Sequence, residues 1–291
     1  MPDLIAAMER ALMDFSAGKV IQPVRSVMKV DPPGGFFGMM PALAADGLGI
    51  KLVTFYPPNA DRGIPTHMAM ILLFERDTGI PVAVMDGRLI TEMRTAAVSA
   101  VATKLLASPD AHVLAILGSG VQARSHLEAL ALVRRFDEIR IWSRTARHAE
   151  TLAEEIGGTA MSAAQAVRDA DVVVTVTSST TPVLKGEWLK PGCHVNAVGA
   201  CRPDWRELDD RAVHNVLFVD SRAAAGQEAG DIVLSGAKIY AELGEALAGK
   251  VESRHSETTV FKSLGMAIED LAAAQLVYRS GLKSDGSVRQ A

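Results

Sequence analysis

A short apolar run that ends in a glycine turn constrains the fold of this chain more than any other stretch. Residues Val113–Leu117 are uniformly apolar, and Gly118–Ala123 follow with the spacing G-x-G-x-x-A before a helix-compatible segment. A strand, a glycine turn and a helix in this order form a cradle for the pyrophosphate of a dinucleotide. Gly118 and Gly120 let the backbone approach the phosphates, and the helix N-terminus offers free N–H groups. The alternative is an ordinary glycine turn in an α/β domain.

The second strand of the same unit indicates which dinucleotide is bound. The stretch Ile139–Trp142 ends in Ser143, Arg144 and Thr145. A unit that binds NAD usually has Asp or Glu at this place, where the carboxylate accepts hydrogen bonds from the ribose 2′-hydroxyl. An arginine between two hydroxyl side chains suits a 2′-phosphate instead. The sequence therefore predicts NADPH as the cofactor, with NADH less favoured.

From residue 109 onward, short apolar runs alternate with helical stretches. Strands are predicted at five places with helices between them: Val113–Leu117, Ile139–Trp142, Val172–Thr177, His194–Val198 and Val216–Asp220. This alternation is typical of an α/β fold with a Rossmann-type doubly wound parallel sheet. We expect residues 109–261 to form this dinucleotide-binding domain.

The residues before 109 have a different pattern. A helix is predicted at Leu4–Ala17, several short extended segments follow, and Thr91 is predicted to cap a long helix that ends near Ala107. A sheet built from such segments needs a cover on its second face, and the amphipathic helix predicted at Leu264–Ser280 can supply it. We therefore expect a discontinuous α+β substrate domain of residues 1–108 and 262–291.

The composition argues against several classes of function. The 291 residues carry a net charge of −4 with dispersed Lys and Arg, so we expect no nucleic-acid partner. No apolar run is long enough to span a membrane. The scattered histidines and the two cysteines lack metal-ligand spacing, so we expect no metal. This cysteine usage also favours a reducing, cytoplasmic compartment.

Three cations lie on faces that the pattern predicts to be buried. Lys51 shares a strand face with Val53, Arg25 shares one with Val27, and Arg94 falls on the apolar stripe of the Ala-rich helix. An unpaired buried cation costs roughly several kcal/mol, so each of them needs a partner. One explanation is an internal salt bridge to Asp or Glu. The other is a shared pocket for an oxyanion such as a carboxylate.

Three further side chains are candidates with open roles. Glu228 either faces a substrate amine or is a solvated loop charge, and the pattern does not distinguish the two. Asp220 is predicted to be structural, capping the helix that follows it. His67 is an alternative proton donor, ranked below Lys51 because a lone histidine on a loop is more often structural.

Several long stretches of the chain carry a resemblance to a known family. They are Gln22–Arg25, Lys51–Tyr56, Ala83–Gly87, Arg94–Ala100, Gly118–Ala123, Asn196–Asp210 and Thr258–Ala267. On these stretches the chain resembles the ornithine cyclodeaminase/mu-crystallin family, and its ketimine reductase branch in particular. The resemblance implies a homodimer built through the N-terminal domain and a Rossmann domain that carries NAD(P)H. It also implies that Arg25, Lys51 and Arg94 hold the α-carboxylate of a substrate.

The resemblance assigns further roles to single positions. Ser143, Arg144 and Thr145 correspond to the adenosine-phosphate site of NADPH-using members, and Glu228 matches an acidic residue near the substrate. Other positions match residues that line the cofactor in the family, namely Thr95, Val121, Gln122, Thr177, Val198 and Ser263.

Cys201 bears on the choice between activities within the family. The cyclodeaminases have an aspartate at this position, which handles the amino group and activates water, whereas this chain reads Val198-Gly199-Ala200-Cys201. A thiol is mostly protonated near neutral pH and is a poor substitute for that carboxylate. The ketimine reductases have a small polar residue there, and Cys201 fits that description. Its alternative role is that of a small buried filler.

Together these features predict an NADPH-dependent reductase of cyclic ketimines that carry a carboxylate, such as 1-pyrroline-2-carboxylate and 1-piperideine-2-carboxylate. Arg25 and Arg94 would fix the carboxylate, and Lys51 would add charge and relay a proton. Ornithine cyclodeaminase and alanine dehydrogenase are the alternative activities within the family. An alternative of another class is a non-catalytic, NADPH-dependent binder of small molecules such as thyroid hormone.

Overall fold

The first of two sheets is antiparallel and comes from the N-terminal residues. The computed structural model, which describes residues 1–284, places five strands across it in chain order. After helix α1 (Pro2–Ser16) they are β1 (Ser26–Val30), β2 (Gly35–Ala44), β3 (Gly47–Phe55), β4 (His67–Phe74) and β5 (Pro81–Asp86), and helix α2 (Arg88–Leu106) follows. Side chains alternate across the sheet. In β4, Ala69 and Ile71 are therefore buried under helices, whereas Met68 and Met70 are exposed on the outer face.

The second sheet is parallel and has eight strands. Its elements are β6 (Val113–Leu117), α3 (Val121–Leu130), β7 (Glu138–Trp142), α4 (Ala146–Ile156), β8 (Thr159–Ala160), α5 (Ala163–Val167), β9 (Val172–Thr175), β10 (His194–Ala197), α6 (Asp210–Val213), β11 (Val216–Val219), α7 (Arg222–Glu228), α8 (Gly230–Val233), β12 (Ile239–Glu242), α9 (Leu243–Leu247) and β13 (Thr259–Lys262). The strand order is β12-β11-β13-β10-β9-β6-β7-β8. The order reverses between β6 and β9, and ligands of such sheets bind at the strand ends there. The predicted α/β class with a Rossmann-type sheet is confirmed.

The last helix, α10 (Ala267–Ser284), returns to the antiparallel sheet. It packs on β2, β3 and β4 and against α1 and α2. Glycines in β3 allow this close approach, since a Cβ on Gly49 would lie 3.0 Å from the Leu271 side chain. We propose the division into residues 1–108 with 262–291 and residues 109–261. Of these, residues 285–291 lie outside the described part of the chain.

The start of one helix and the presence of one strand differ from the sequence expectations at places that bear on the site. Helix α2 begins at Arg88 after Gly87, so the predicted cap at Thr91 is wrong and Arg94 lies in the second turn instead of the first. Strand β13 was not predicted, although it pairs with both β10 and β11 inside the sheet. Thr259 and Lys262 at its two ends interrupt the apolar pattern that identifies a buried strand.

Candidate active site

A cavity of about 280 Å³ lies where the antiparallel sheet meets the strand ends of the parallel sheet. Eight side chains predicted from the sequence line it: Arg25, Lys51, Arg94, Thr95, Gln122, Thr177, Val198 and Ser263. Half of these come from the N-terminal residues and half from the strand ends and the glycine-turn helix. The fold therefore brings the three cations and several of the predicted cofactor-binding residues to the same cavity.

Arg94 is held at the cavity wall by two acids of α10. Its Nη1 donates to Glu269 Oε2 at 2.7 Å, and its Nε donates to Asp270 Oδ1 at 2.9 Å. Lys51 Nζ lies 2.6 Å from Asp270 Oδ2, so Asp270 bridges the two cations. All four side chains are almost fully buried. Arg94 Nη2 makes no hydrogen bond to any residue within 1–284, which leaves it for a ligand.

Arg25 joins the same cavity from just before β1. Its Nε lies 2.9 Å from Glu228 Oε2, and its Nη2 donates to the carbonyls of Leu264 and Gly265, both at 2.8 Å. Glu228 is the last residue of α7, is buried, and lies behind Arg25, so it is not a solvated loop charge. Burial raises the pKa of Glu228, with Arg25 acting in the opposite direction.

The internal salt bridges are therefore present, and the oxyanion pocket stays a prediction that is compatible with them. Each cation has an internal carboxylate partner, and all three also border one cavity. Internal pairing lowers the cost of burying Arg25, Lys51 and Arg94 before any ligand arrives. The acidic partners are the part that the sequence did not reveal.

The pKa values of Lys51 and His67 distinguish these two candidate proton donors of the cavity. Burial lowers the pKa of Lys51 to about 8, although Asp270 beside it acts to raise it. Burial, with Lys51 and Arg94 nearby, lowers the pKa of His67 to about 4, so this imidazole is neutral near pH 7. His67 is also the first residue of β4 and not a loop residue. Lys51 is the better proton donor of the two.

Gly265 is required for the position of Arg94 and was not predicted to be a site residue. Its φ is +78°, and a Cβ there would overlap the Arg94 guanidinium. Its carbonyl also accepts a hydrogen bond from Arg25. The one sequence signal for it is its place in the stretch Thr258–Ala267, which carries the family resemblance.

Three aromatic side chains form one wall of the cavity. Phe36 stacks on Phe55 with ring centroids 6.5 Å apart, and Phe55 meets the Trp205 ring edge-on at 5.9 Å. Arg202 lies 4.0 Å above the Phe36 ring and has no carboxylate partner within the described residues. Arg202 and Trp205 were not predicted as site residues. Both fall in the Asn196–Asp210 stretch.

The glycine turn has the geometry that a pyrophosphate needs. Gly118 has φ +131°, and a Cβ there would lie 2.7 Å from the Val176 carbonyl, so only glycine fits. A Cβ on Gly120 would meet nothing within 4 Å, so the backbone at the start of α3 is open. Val121 at that helix start is exposed. These residues fit a dinucleotide.

The predicted 2′-phosphate residues lie next to this turn. Ser143 accepts a hydrogen bond from Ser119 of the turn at 3.0 Å, which ties the end of β7 to it. Arg144 and Thr145 are exposed, and Arg144 has no ion-pair partner among residues 1–284. A free guanidinium beside the turn fits an adenosine 2′-phosphate.

Among the other residues predicted to bind the cofactor, some polar atoms already have hydrogen-bond partners within the described residues and others have none. Gln122 Oε1 and Ser263 Oγ are buried without a hydrogen-bond partner within the described part of the chain, as expected where a ligand completes the bonding. Thr95 donates to the Thr91 carbonyl at 2.7 Å. The Thr177 hydroxyl and N–H both donate to Glu207 at 2.6 Å, so its side chain is already engaged.

A buried ionic network beneath the cavity was not predicted. Lys262 Nζ donates to the Gly199 carbonyl and lies 3.0 Å from Asp231 Oδ2, while Asp231 Oδ1 accepts the N–H groups of Glu207 and Leu208. This network fixes the turn that leads to Cys201 through Ala200, which has φ +54°. Cys201 itself borders the cavity and is only partly buried.

Asp220 is structural, as predicted, but it does not cap the following helix. Ser221 is the N-cap residue of α7 and accepts from the Ala224 N–H. Asp220 Oδ2 instead accepts the N–H groups of Leu264 and Gly265 at 2.6 and 2.8 Å. It thereby holds the segment that receives Arg25.

Residues 1–284 contain no cluster of His, Cys, Asp and Glu side chains suited to a metal ion. In the same range, no helix combines the length and apolarity needed to cross a membrane.

Comparison with known proteins gives consistent matches along the whole chain. The family model described as the ornithine cyclodeaminase/mu-crystallin family matches residues 1–285. Over 286 residues the chain is 54% identical to ketimine reductase mu-crystallin of Mus musculus, covering 95% of this chain and 91% of that protein.

Two solved structures are similar over almost their full length. Delta(1)-pyrroline-2-carboxylate reductase of Thermococcus litoralis, in complex with NADH and L-proline, has a TM-score of 0.94 and 36% identity, covering 98% of this chain and 94% of that one. An archaeal alanine dehydrogenase dimer with bound NAD has a TM-score of 0.92 and 34% identity, covering 98% and 92%.

Proposed function

The chain belongs to the ornithine cyclodeaminase/mu-crystallin family, and from that membership we propose that it is an NADPH-dependent reductase of cyclic ketimines that carry a carboxylate. It is an oxidoreductase that reduces cyclic imines with a nicotinamide cofactor, like the reductases it resembles. One observation carries the proposal. Three cations and several residues predicted to bind the cofactor border a single cavity of about 280 Å³.

The cations orient the substrate through its carboxylate. Arg94 offers its free Nη2, Arg25 approaches from the neighbouring side, and Lys51 adds positive charge between them. A carboxylate held by charge-assisted hydrogen bonds has its adjacent C=N carbon fixed in place. The aromatic wall of Phe36 and Phe55 gives the ring of the imine an apolar surface.

Lys51 supplies the proton that makes the imine electrophilic. Burial lowers the pKa of Lys51 to about 8, so its ammonium releases a proton more readily than an ordinary lysine. His67 is neutral near pH 7 and serves as a wall residue. When bound, the nicotinamide supplies the hydride to the carbon next to the carboxylate.

The preference for NADPH rests on Arg144. Its exposed guanidinium lies beside the turn, where an acidic residue would select NADH. Replacing Arg144 with Ala should raise the KM for NADPH at least about tenfold and leave the KM for NADH nearly unchanged, because only NADPH has a 2′-phosphate. Equal effects on both cofactors would contradict the preference. Arg168→Ala, which removes an exposed arginine before β9, serves as the control and should leave both KM values unchanged.

The proposal includes a homodimer formed through the outer face of the antiparallel sheet. Five apolar side chains are at least 39% exposed on that face: Met28, Met68, Met70, Val82 and Val84. The strand register places Met28 and Met68 in one row across the sheet. A contiguous exposed apolar surface is typical of an interface, and the similar alanine dehydrogenase is a dimer. The cytoplasm is the proposed compartment, since Cys193 and Cys201 are free thiols.

The direct test follows NADPH absorbance with 1-piperideine-2-carboxylate and 1-pyrroline-2-carboxylate. We expect oxidation of NADPH with at least one of them, and no oxidation with either would refute the reductase assignment. Ornithine cyclodeaminase activity would release ammonia from ornithine without net change in NADPH, and alanine dehydrogenase activity would reduce the cofactor with alanine. Tight NADPH binding without turnover of any imine would favour the non-catalytic binder.

A further inference from the structure

Two neighbouring acids of α10 share one guanidinium behind the cavity. Arg94 contacts Glu269 through Nη1 and Asp270 through Nε, and the side chains of these three residues are 5%, 0% and 1% exposed. Asp270 has a second cationic partner in Lys51, whereas Glu269 has no second one among residues 1–284. Glu269 Oε1 is also buried without a hydrogen-bond partner in the described part of the chain. Glu269 is therefore the least compensated acid of this cluster.

The charged groups paired directly around Arg94 balance before any substrate enters. Among the described residues, Lys51 and Arg94 face Glu269 and Asp270, two cations and two acids. Arg25 is paired separately with Glu228, and Asp220 acts on Glu269 through charge alone. His67 adds no charge near neutral pH because burial lowers its pKa to about 4. A substrate carboxylate would leave the site with one excess negative charge. Uncompensated charge in a buried site is strongly unfavourable.

We propose that binding of a substrate carboxylate at Arg94 and Lys51 is coupled to the uptake of one proton by Glu269. The proton neutralises the acid that competes with the substrate for Arg94, and the guanidinium then serves the incoming carboxylate. The ion pair of Asp270 with Lys51 is kept. The proposal rests on the proposed function, because it assigns the substrate to the same three cations.

The environment of Glu269 makes this uptake accessible near neutral pH. Burial raises its pKa to about 7; Arg94 opposes this, while Asp220 and Asp270 add to it. A further anion beside Arg94 would raise the pKa of Glu269 again. Since the complex then holds more protons than the free protein, affinity for the carboxylate must fall as the pH rises through about 7.

Isothermal titration calorimetry of the NADPH-loaded protein with pyrrole-2-carboxylate tests the coupling. The probe carries the carboxylate, cannot be reduced in place of the imine, and has a ring nitrogen that does not titrate near neutral pH. Titrations in buffers of different ionisation enthalpy give the number of protons taken up. We expect about half a proton near pH 7, almost none near pH 5.5, and affinity about tenfold weaker near pH 8 than near pH 6.

Two matched variants assign the proton. Glu269→Gln mimics the protonated acid, so near pH 7 it should bind the probe with almost no proton uptake. Its affinity should decline only about twofold between about pH 6 and pH 8, the part that the titration of Lys51 causes. Glu228→Gln removes another buried acid of the same site and should keep the uptake. Uptake of wild-type size near pH 7 that persists in Glu269→Gln, uptake that disappears in Glu228→Gln, or a wild-type value of zero at both pH values would overturn the proposal.

The same preparation separates this proposal from the proposed function. NADPH oxidation with the cyclic imine is measured alongside the calorimetry. Turnover without proton-coupled binding would reject the role of Glu269 alone. Proton-coupled binding of pyrrole-2-carboxylate without turnover of any imine would reject the reductase assignment alone.

Discussion

At the scale of single residues, the site depends on how Arg94 is seated. Its guanidinium has acids of α10 on one side and Gly265 on the other, and its Nη2 is left for a ligand. Burial works against the charge of Arg94, but Asp270 and Glu269 outweigh it and raise its pKa. The fixed positive charge is therefore a property of the fold and not of the ligand.

Gly265→Ala should displace the Arg94 guanidinium from its position. The variant adds a Cβ where the guanidinium lies and places it at φ +78°, so we expect a loss of about 1–3 kcal/mol in the free energy of unfolding and a raised KM for the imine. Urea denaturation and steady-state kinetics measure the two effects. Gly226→Ala is the control, because Gly226 lies in α7 with nothing within 4 Å of a Cβ. A Gly265→Ala protein as stable and active as Gly226→Ala would contradict the account.

The pH dependence of activity should carry the titration of Lys51. Only the ammonium form attracts the carboxylate and donates the proton, and burial lowers its pKa to about 8, so kcat/KM should fall as the pH rises through that value. The limb is best recorded in Glu269→Gln, where Glu269 no longer titrates. Adding Lys51→Arg removes the proton donor and should lower kcat/KM at every pH. The activity that remains should no longer decline near pH 8, since a guanidinium stays charged. A decline that still lies near pH 8 in this double variant would assign the titration to a group other than Lys51.

At the scale of elements, β13 and the loops around it position the turn that carries Cys201. Lys262 is fully buried in this strand. Burial disfavours its charge, but Asp231, Cys201 and Glu207 nearby raise its pKa overall. Asp231 in turn receives two backbone N–H groups of the 207–208 segment. One lysine thus connects the end of β13 with the turn after β10 and, through Asp231 of α8, with the 207–208 segment.

Removing Lys262 alone should lower the free energy of unfolding more than replacing both Lys262 and Asp231. Lys262→Met leaves Asp231 buried without its cation, so we expect a loss of about 3–5 kcal/mol in the free energy of unfolding. The double variant Lys262→Met/Asp231→Asn should recover part of that loss, as a double-mutant cycle in urea would measure. Strictly additive losses would show that the two side chains do not act as a pair.

Local patterns predicted the elements well, and long-range pairing is what they could not supply. Strand β6 and helix α4 have the predicted limits, because apolar periodicity and capping are local properties. Arg94 was identified as a misplaced cation, but its partner Asp270 lies 176 positions away and no local rule connects them. Strand β13 was missed because Lys262 is buried by its ion pair and not by apolar character.

At the scale of the whole molecule, the chain leaves an apolar sheet face uncovered on the side away from the cavity. The helices α2 and α10 lie on the inner face with α1 packed against them, and the outer face presents Met70 and Val84, at 52% and 61% exposure. The division into two units, with the cofactor turn in the second, stays a proposal. The cavity between them is a property of the assembled chain.

A charge on the outer face should disrupt the proposed dimer. Val84→Glu places a carboxylate in the exposed apolar row, so we expect a shift from dimer to monomer by analytical ultracentrifugation. Leu132→Glu is the control, since Leu132 is similarly exposed on the parallel-sheet half. Dissociation by Leu132→Glu, or an unchanged dimer with Val84→Glu, would move the interface elsewhere.

The central claim is that the cation cluster selects imines by their carboxylate. It is tested most directly by comparing kcat/KM for 1-piperideine-2-carboxylate with that for 1-piperideine, the same ring without the carboxylate, at saturating NADPH. Two charge-assisted hydrogen bonds at about 1.5–3 kcal/mol each predict a preference of at least about a hundredfold for the carboxylate. Comparable values for the two imines would contradict the assignment of Arg25, Lys51 and Arg94 as the substrate clamp.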